Sequence, residues 1–189
     1  QDLRKKQLNK WAHAQLAARS MVISGAGPLV PASDDASFRR YYRLPDGLHP
    51  LIFVDAPPDK EDSRSFVSIA ENLNDAGLNA PVVFAADYDL GFMMLSDLGT
   101  DLYLPAIEAA DEAGADGSRP LYRDAIDALC IMQSIKAEVP DYNIILLRQE
   151  MDLFPHWFLG RELGHDCTGA EVKMLDAVFA LMIKNALEQ

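Results

Sequence analysis

Short apolar runs separated by turn signals characterise the first part of the chain, up to about residue 100. Runs of this length are typical of strands, and Gly, Pro and Asp mark the turns between them. We predict strands in SFRRYYRL (37–44), LIFVDA (51–56), VVFAAD (82–87) and FMMLSDLG (92–99). The stretch SGAGPLVPASDDAS (24–37) is rich in Gly, Pro and Asp, and we predict an irregular connection there.

Two helices accompany these strands. Apolar residues recur at helical spacing over 2–20 and again over 62–76, and Gly77 follows the second segment as a residue that ends helices. The first hundred residues are therefore predicted to run strand, strand, helix, strand, strand after one leading helix. The apolar residues that share a face are Leu3, Leu8, Trp11 and Leu16 in the first helix, and those at helical spacing in the second are Phe66, Ile69, Ala70 and Leu73.

The chain becomes mostly helical after about residue 101. Thr168 is a good N-cap, and Glu171 completes a capping box with it. Pro155 marks a kink or a new first turn, and the small, acidic segment 108–120 is predicted to be a loop. The predicted helices are 121–135, 146–163 and 168–189.

The net charge indicates which binding partners are disfavoured, and the cysteines indicate the redox compartment. The chain has 17 Lys and Arg residues against 29 Asp and Glu residues, a net charge of −12, which disfavours binding to nucleic acid or anionic membranes. No apolar run approaches the roughly 18 residues of a membrane span. Cys130 and Cys167 have no metal-ligand spacing, and Cys130 is predicted to be buried in an apolar helix. We expect a reduced, cytoplasmic protein.

Small residues precede two arginines in the segment SDDASFRR. Small turn residues let backbone N–H groups approach an anion closely, and an arginine fork can complete a phosphate cradle. Neighbouring strand residues point to opposite faces, so only one of the two arginines can face a given ligand. A solvent-exposed hairpin with ordinary surface arginines is the alternative interpretation. The residues concerned are Ser33, Asp34, Asp35, Ala36, Ser37, Arg39 and Arg40.

The run GFMMLSDLG (91–99) ends in Leu95, Ser96 and Asp97, where the composition changes from strand-rich to helical. This place suits an interlobe hinge, whose backbone groups could pair with a flat heterocycle while Met side chains pack on its face. A strand end followed by a type I turn is the alternative.

Two further segments contain residue types that kinases use. His165 and Asp166 are adjacent and lack the Asn of a kinase catalytic loop, so we predict a turn between helices there. Glu71 lies within the predicted helix 62–76 and is a candidate for the acid that a kinase-like lobe pairs with a cation. A solvated surface glutamate is the alternative for Glu71.

Four segments, in order, resemble the aminoglycoside phosphotransferase family of kinase-like enzymes. Within that family the chain is most similar to the bacterial branch of anomeric N-acetylmuramate/N-acetylglucosamine kinases, for which DAPP, SFRRYYR and EMDLFPHWFL are specific signatures. The segments are DDASFRRYYRL (34–44), IFVDAPPDKEDSRSFVSIAENLNDAGLNAPVVFAAD (52–87), GFMMLSDLG (91–99) and EMDLFPHWFLGRELG (150–164).

The resemblance implies an α+β fold. It predicts a protein-kinase-like N-lobe, made of an antiparallel sheet plus a helix, and the first helices of an incomplete helical C-lobe. The expected boundaries are 1–19 for an N-terminal helix, 20–100 for the N-lobe and hinge, and 101–189 for the partial C-lobe.

The resemblance also implies ATP and Mg²⁺ as cofactors and an amino-sugar hydroxyl as phosphate acceptor, in the recycling of cell-wall sugars. In that case the turn 33–37 would cover the phosphates, and Arg39 or Arg40 would reach them. Leu95, Ser96 and Asp97 would line the adenine hinge.

The chain departs from the family at two places. Family kinases carry a third-strand Lys paired with a helix acid, whereas Asp55 stands near that position here, which weakens the role of Glu71. Phosphate charge would then be met by Arg39, Arg40 or Lys60. The family's catalytic His-x-Asp…Asn loop and metal-binding Asp are not in this sequence, so we expect both outside it and no turnover by the chain alone.

A non-catalytic nucleotide-binding or interaction module is the alternative function. An incomplete lobe would leave an apolar face uncovered, and such a patch would favour a homodimer.

Overall fold

The computed structural model describes residues 2–21, 27–33, 38–45, 50–114, 117–137 and 139–188. In chain order its elements are α1 (Leu3–Ala18), β1 (Val30–Ser33), β2 (Arg40–Arg43), β3 (Leu51–Asp55), α2 (Ser63–Asp75), β4 (Val83–Asp87), β5 (Phe92–Ser96), α3 (Tyr103–Glu112), α4 (Arg119–Ser134), α5 (Ile144–Leu153), a π-helical segment (Phe154–Glu162) and α6 (Gly169–Leu187). None of the helices in these ranges combines the length and the apolar composition needed to cross a membrane.

The chain separates into two compact units. The first, Gln1–Ala137, contains the whole sheet with α1 to α4. The second, Glu138–Gln189, contains α5, the π-helical segment and α6. The α+β class expected from the sequence is confirmed, and the lobe boundary near residue 100 stays a prediction.

The five strands form one antiparallel sheet in the order β1-β2-β3-β5-β4. Strands β3 and β5 are central, with Leu51 opposite Ser96 and Asp55 opposite Phe92. Because successive strand residues point to opposite faces, this register assigns every β3 and β5 side chain to one of two faces.

Each face of the sheet is covered by one helix, and we name the faces after these helices. On the α1 face, α1 buries Leu8, Ala12 and Leu16 against a core of Tyr42, Phe53, Phe92 and Met94. On the α2 face, Val67 of α2 packs with Val54, Met93 and Leu95. Both helices begin at an acidic N-cap, because Asp2 accepts from the Lys5 amide and Asp62 from the Arg64 amide.

Strand β1 corrects the first prediction, which treated 24–37 as an irregular connection. The residues VPAS show no polar–apolar alternation and include Pro31, which cannot donate a ladder hydrogen bond. Proline is tolerated on an edge strand, and β1 is an edge of this sheet. Pairing with β2, rather than any local signal, therefore makes this segment a strand.

The segment 108–120 is also corrected, because α3 continues to Glu112. Four of its residues Glu108 to Glu112 are Ala or Glu, which are strong helix formers. The prediction for Cys130 was wrong as well, since this thiol is exposed. Its neighbours on α4 are exposed too, and no residue of α4 is buried by the part of the chain that the structure describes.

The second unit confirms the capping box at the start of α6. Thr168 Oγ accepts from the Glu171 amide, and Glu171 in turn accepts from the Thr168 amide at 2.8 Å. Arg148 joins α5 to α6 through Asp176 at 2.6 Å. The sequence predicts a helix over 146–163 with a change at Pro155, and the structure places that change one residue earlier, where α5 gives way to the π-helical segment.

Asp2 links the start of α1 to the sheet, which predicts a pH dependence. A hydrogen bond from Arg40 lowers the pKa of Asp2 from 3.8 to about 2. The ionised carboxylate therefore contributes stability above pH 3.8, and this contribution is lost as the pH falls through about 2. We expect Asp2→Asn to lower the urea midpoint at neutral pH, and we expect this difference from the wild type to be much smaller near pH 2. An equal difference at both pH values would contradict this.

Candidate functional site

A cavity of about 290 Å³ lies on the α2 face at the end of β5. We call it the hinge cavity. Its size is at the lower end of the range for small-molecule sites, and most of its lining is apolar, as such sites usually are. The residues that line it are Ala32, Tyr41, Arg43, Ile52, Phe66, Pro81 and the segment Leu95–Gly99.

An arginine–aspartate pair fixes the polar rim of the hinge cavity. Arg43 donates from Nε to one carboxylate oxygen of Asp97 and from Nη2 to the other, the latter at 3.0 Å. Asp97 Oδ1 also accepts from the Gly99 amide at 2.9 Å. The hydrogen bonds from Arg43 lower the pKa of Asp97 below its ordinary value, so the pair is charged at neutral pH. Strand β2 thereby holds the segment that follows β5.

Backbone contacts hold the same segment from both neighbouring strands. The Asp97 amide donates to Pro50 O at 2.7 Å on the β3 side, and the Ser96 amide donates to Val82 O at 2.9 Å on the β4 side. The Val82 amide donates to the Ser96 hydroxyl at 2.9 Å. The rim is therefore a backbone edge that both neighbouring strands hold in place.

A second cavity, of about 260 Å³, adjoins the first on the α2 face. The two share Phe66 and Pro81 in their linings. Arg39 lines the second cavity, and we call it the Arg39 cavity. Arg39 Nη2 lies 3.0 Å from Glu61 Oε2, and the Arg39 guanidinium lies 5.4 Å from the centre of the Phe66 ring.

The opposite face carries a second group of charges around Asp55, whose side chain is fully buried. Arg4 donates to Asp55 Oδ1 at 2.8 and 2.5 Å, and Arg40 donates to Asp55 Oδ2 at 3.1 and 2.5 Å. Arg40 also binds Asp2, so the group joins α1 to β2 and β3. Asp55 lies on the α1 face, because residues two apart on a strand share a face and Phe53 packs on the α1 face. Both cavities are on the opposite face.

Comparison with known proteins identifies the family. The family model described as "Phosphotransferase enzyme family" (APH) matches residues 28–188. The chain belongs to this family. The resemblance inferred from the sequence is thereby confirmed, and the antiparallel sheet with α2 is the fold expected of its N-terminal lobe.

The curated relatives that match this chain share the same name. A Pseudomonas putida protein named N-acetylmuramate/N-acetylglucosamine kinase is 42% identical over 194 residues, which cover 100% of this chain and 56% of the relative. A Pseudomonas aeruginosa protein of the same name is 39% identical over 197 residues, with the same coverage. A third, from Neisseria meningitidis, is 38% identical over 141 residues, 72% of this chain and 41% of the relative. The chain therefore spans little more than half the length of the first two relatives.

The structure brings together part of the predicted site. Leu95, Ser96 and Asp97 line the hinge cavity, and Arg39 lines the cavity beside it. Ser33 ends β1, whereas 34–37 lie outside the described residues. Arg40 is on the other face, as the alternation of strand residues predicts for a neighbour of Arg39.

Two further candidates lie away from the cavities. Glu71 is exposed and makes no ion pair with any residue that the structure describes. His165 lies between the π-helical segment and α6, where it contacts Glu171 at 3.2 Å, and this confirms the predicted connection between helices. The role offered for Glu71 stays a prediction without a structural partner.

Sequence reasoning missed Arg43, Tyr41 and Ile52 as lining residues. The alternation in RYYR contains the signal, because residues two apart on β2 share a face and Arg43 shares that of Tyr41. Asp97, its partner, is 54 residues away in sequence, so only the strand order brings the pair together.

The described residues do not supply a metal centre. No group of three or more His, Cys, Asp or Glu side chains within the described ranges could hold a metal ion. We therefore assign no residue of the described chain to Mg²⁺ and derive no chemical step through it.

Proposed function

We propose that this chain is the nucleotide-binding part of an ATP-dependent phosphotransferase that phosphorylates a hydroxyl group of an amino sugar. The hinge cavity carries the proposal, because it combines apolar walls with a rigid backbone edge on the α2 face of a phosphotransferase-family sheet. The names of the relatives favour an amino sugar as the acceptor, and membership of the phosphotransferase family favours ATP as the donor.

The residues of the hinge cavity suit an adenine ring. Ile52 and Leu95, on adjacent strands, supply apolar surface for its faces. The segment Leu95–Gly99 forms the polar rim at its edge and is held in place by Arg43. These residues bind and orient the base, while the acid that orients the sugar hydroxyl and the metal ligands stay predictions outside this sequence.

The test uses the natural gene product that carries this sequence. We expect it to consume ATP with N-acetylmuramate or N-acetylglucosamine and to release a sugar phosphate, whereas the 189-residue chain alone binds ATP without turnover. A coupled ADP assay over a panel of amino sugars and aminoglycosides measures this. Absence of ATP consumption across the panel, with ATP binding retained, would favour the non-catalytic module.

Loss of the Arg43–Asp97 pair is expected to weaken binding of the base. Arg43→Gln and Asp97→Asn should each reduce affinity for adenosine and for ATP by about tenfold, as loss of a charge-assisted hydrogen bond predicts. The affinities for adenosine and ATP should fall by the same factor, because the pair orients the base and not the phosphates. Isothermal titration measures both affinities, and Arg123→Gln on the exposed surface of α4 is the matched control.

An unchanged adenosine affinity in both variants would contradict this role for the pair. Thermal unfolding followed by circular dichroism shows whether each variant is folded before titration.

A further inference from the structure

The strand β3 presents no cation to the two cavities. Its residues Ile52 and Val54 belong to the apolar cluster on the α2 face. Its charged residue, Asp55, is buried on the α1 face between Arg4 and Arg40. In protein kinases a lysine on the third strand, paired with a helix glutamate, contacts the nucleotide phosphates. In this chain the phosphate charge must therefore be met from another element.

Arg40 does not lie where phosphates beside the hinge cavity could reach it. Its guanidinium contacts Asp55 and Asp2 on the α1 face, and these contacts raise its pKa. Moving it to the other face would leave Asp55, a fully buried carboxylate, with one arginine instead of two. Such a rearrangement is costly because a buried charge needs its partners.

Lys60 lies on the surface beyond β3. Its ammonium is 3.9 Å from Asp59 and 5.8 Å from the centre of the Phe38 ring, and the side chain is half-exposed. Lys60 lines neither of the two cavities. It is the rival candidate for binding phosphate, and the experiment below includes it.

Arg39 has three properties expected of a residue that binds the nucleotide phosphates: it lines a cavity beside the hinge cavity, it pairs with a helix-start acid, and its guanidinium is held in one orientation. It lines the cavity that adjoins the hinge cavity through Phe66 and Pro81. It pairs with Glu61, directly before the N-cap of α2, and both side chains are mostly buried. Phe66 lies beneath the guanidinium, which restricts its orientation. The pair thus joins a strand-end cation to an acid at the start of the helix on the same face.

We propose that Arg39 binds the nucleotide phosphates in place of a third-strand lysine and that Glu61 positions it. This inference rests on the proposed nucleotide site. A guanidinium offers five N–H donors in a planar fork, so it can contact a carboxylate and a phosphate together. Glu61 is therefore a positioning residue, and Arg39 is the group that touches the ligand.

The experiment compares ligands that differ only in phosphate. ATP, ADP and adenosine are titrated by calorimetry into the wild type, Arg39→Gln, Arg39→Lys and Glu61→Gln. We expect Arg39→Gln to weaken ATP binding by about 10- to 100-fold, as loss of charged hydrogen bonds predicts, and to leave adenosine binding unchanged. Arg39→Lys should recover part of the loss, because lysine keeps the charge without the fork. Glu61→Gln should reduce the affinity for ATP less than Arg39→Gln does.

Two controls isolate the role of position. Arg64→Gln removes an arginine from α2 that lies over Tyr88 and lines neither cavity, so it should bind ATP as the wild type does. Lys60→Gln removes the rival cation and should also leave ATP affinity unchanged. An ATP-specific loss in Lys60→Gln but not in Arg39→Gln would overturn the proposal.

The remaining outcomes are equally decisive. Equal losses of ATP and adenosine affinity in Arg39→Gln would show a structural role and overturn phosphate contact. If the wild type binds ATP no more tightly than adenosine, phosphate contact would also be overturned, whereas the site proposed for the base would remain supported. A wild type that binds none of the three ligands would overturn the nucleotide site of the proposed function itself.

Discussion

Replacing Asp55 with Ala is expected to destabilise the unit that contains the sheet by about 3 kcal/mol. Asp55 is fully buried and is held by both Arg4 and Arg40, which come from α1 and β2. Without the carboxylate, Arg4 loses its acidic partner and Arg40 keeps only Asp2, so two guanidinium groups lie close together with one counter-charge. Removing one partner of a buried ion pair costs about 3 to 5 kcal/mol, and the partial exposure of the two arginines places this site at the lower end.

Urea unfolding measures this effect with Trp11 as the reporter. Trp11 packs against Phe53 and Phe92 between α1 and the sheet, whereas Trp157 lies in the other unit. A Trp157→Phe background therefore restricts the fluorescence signal to the unit that contains Asp55. Asp55→Asn, which keeps the shape and some hydrogen bonds, should fall between the wild type and Asp55→Ala.

Asp59→Ala is the matched control for this prediction. Asp59 is an acid four residues after the end of β3, but it is largely exposed and lies 3.9 Å from Lys60. Exposed ion pairs contribute about 0 to 1 kcal/mol, so Asp59→Ala should unfold at nearly the same urea concentration as the wild type. An Asp55→Ala variant that matched Asp59→Ala would contradict the view that this acid anchors α1.

Replacing Gly91 with Ala is expected to have the other large effect, a loss of roughly 3 to 5 kcal/mol from backbone strain and a steric clash. Gly91 has φ +71°, a left-handed conformation that side chains disfavour. A Cβ at this position would lie 1.9 Å from the Ala56 carbonyl oxygen. The clash cannot relax locally, because the Ala56 amide donates to Gly91 O at 2.8 Å and holds the two backbones together.

Gly77→Ala separates the strain from the clash. Gly77 ends α2 with φ +83°, but a Cβ there would meet no atom within 4 Å. We expect a loss of about 1 to 2 kcal/mol, the cost of the left-handed conformation alone. The same Trp11 fluorescence assay reports both variants. If the two glycine variants lost equal stability, the contact with Ala56 would not be the cause.

Local signals predicted α2 and α6 well because their information lies within a few residues. Apolar spacing, the Asp62 and Thr168 caps and Gly77 specify where these helices begin and end. β1 and the end of α3 were mispredicted for opposite reasons. β1 depends on pairing with β2, a contact remote from its own sequence, whereas α3 contains helix formers in a segment that composition alone made resemble a loop.

The candidate site shows the same division. The sequence predicted that Arg39 and Arg40 face opposite sides, and it predicted Leu95, Ser96 and Asp97 at a hinge. It could not assign each arginine to a helix, because α1 and α2 lie far from β2 in the chain. Arg43 was missed because its partner, Asp97, becomes a neighbour only when the sheet forms.

Local sequence was sufficient to predict the family, the order of most elements and the alternation of side chains along each strand, because these are properties of neighbouring residues and of recognisable segments. The tertiary structure decided which face each charge occupies. Packing of α1 buries Asp55 with Arg4 and Arg40, and packing of α2 places Arg39 beside Glu61 and Phe66. The physical reason is that burial makes a charge require partners, and those partners come from elements that only the folded chain brings together.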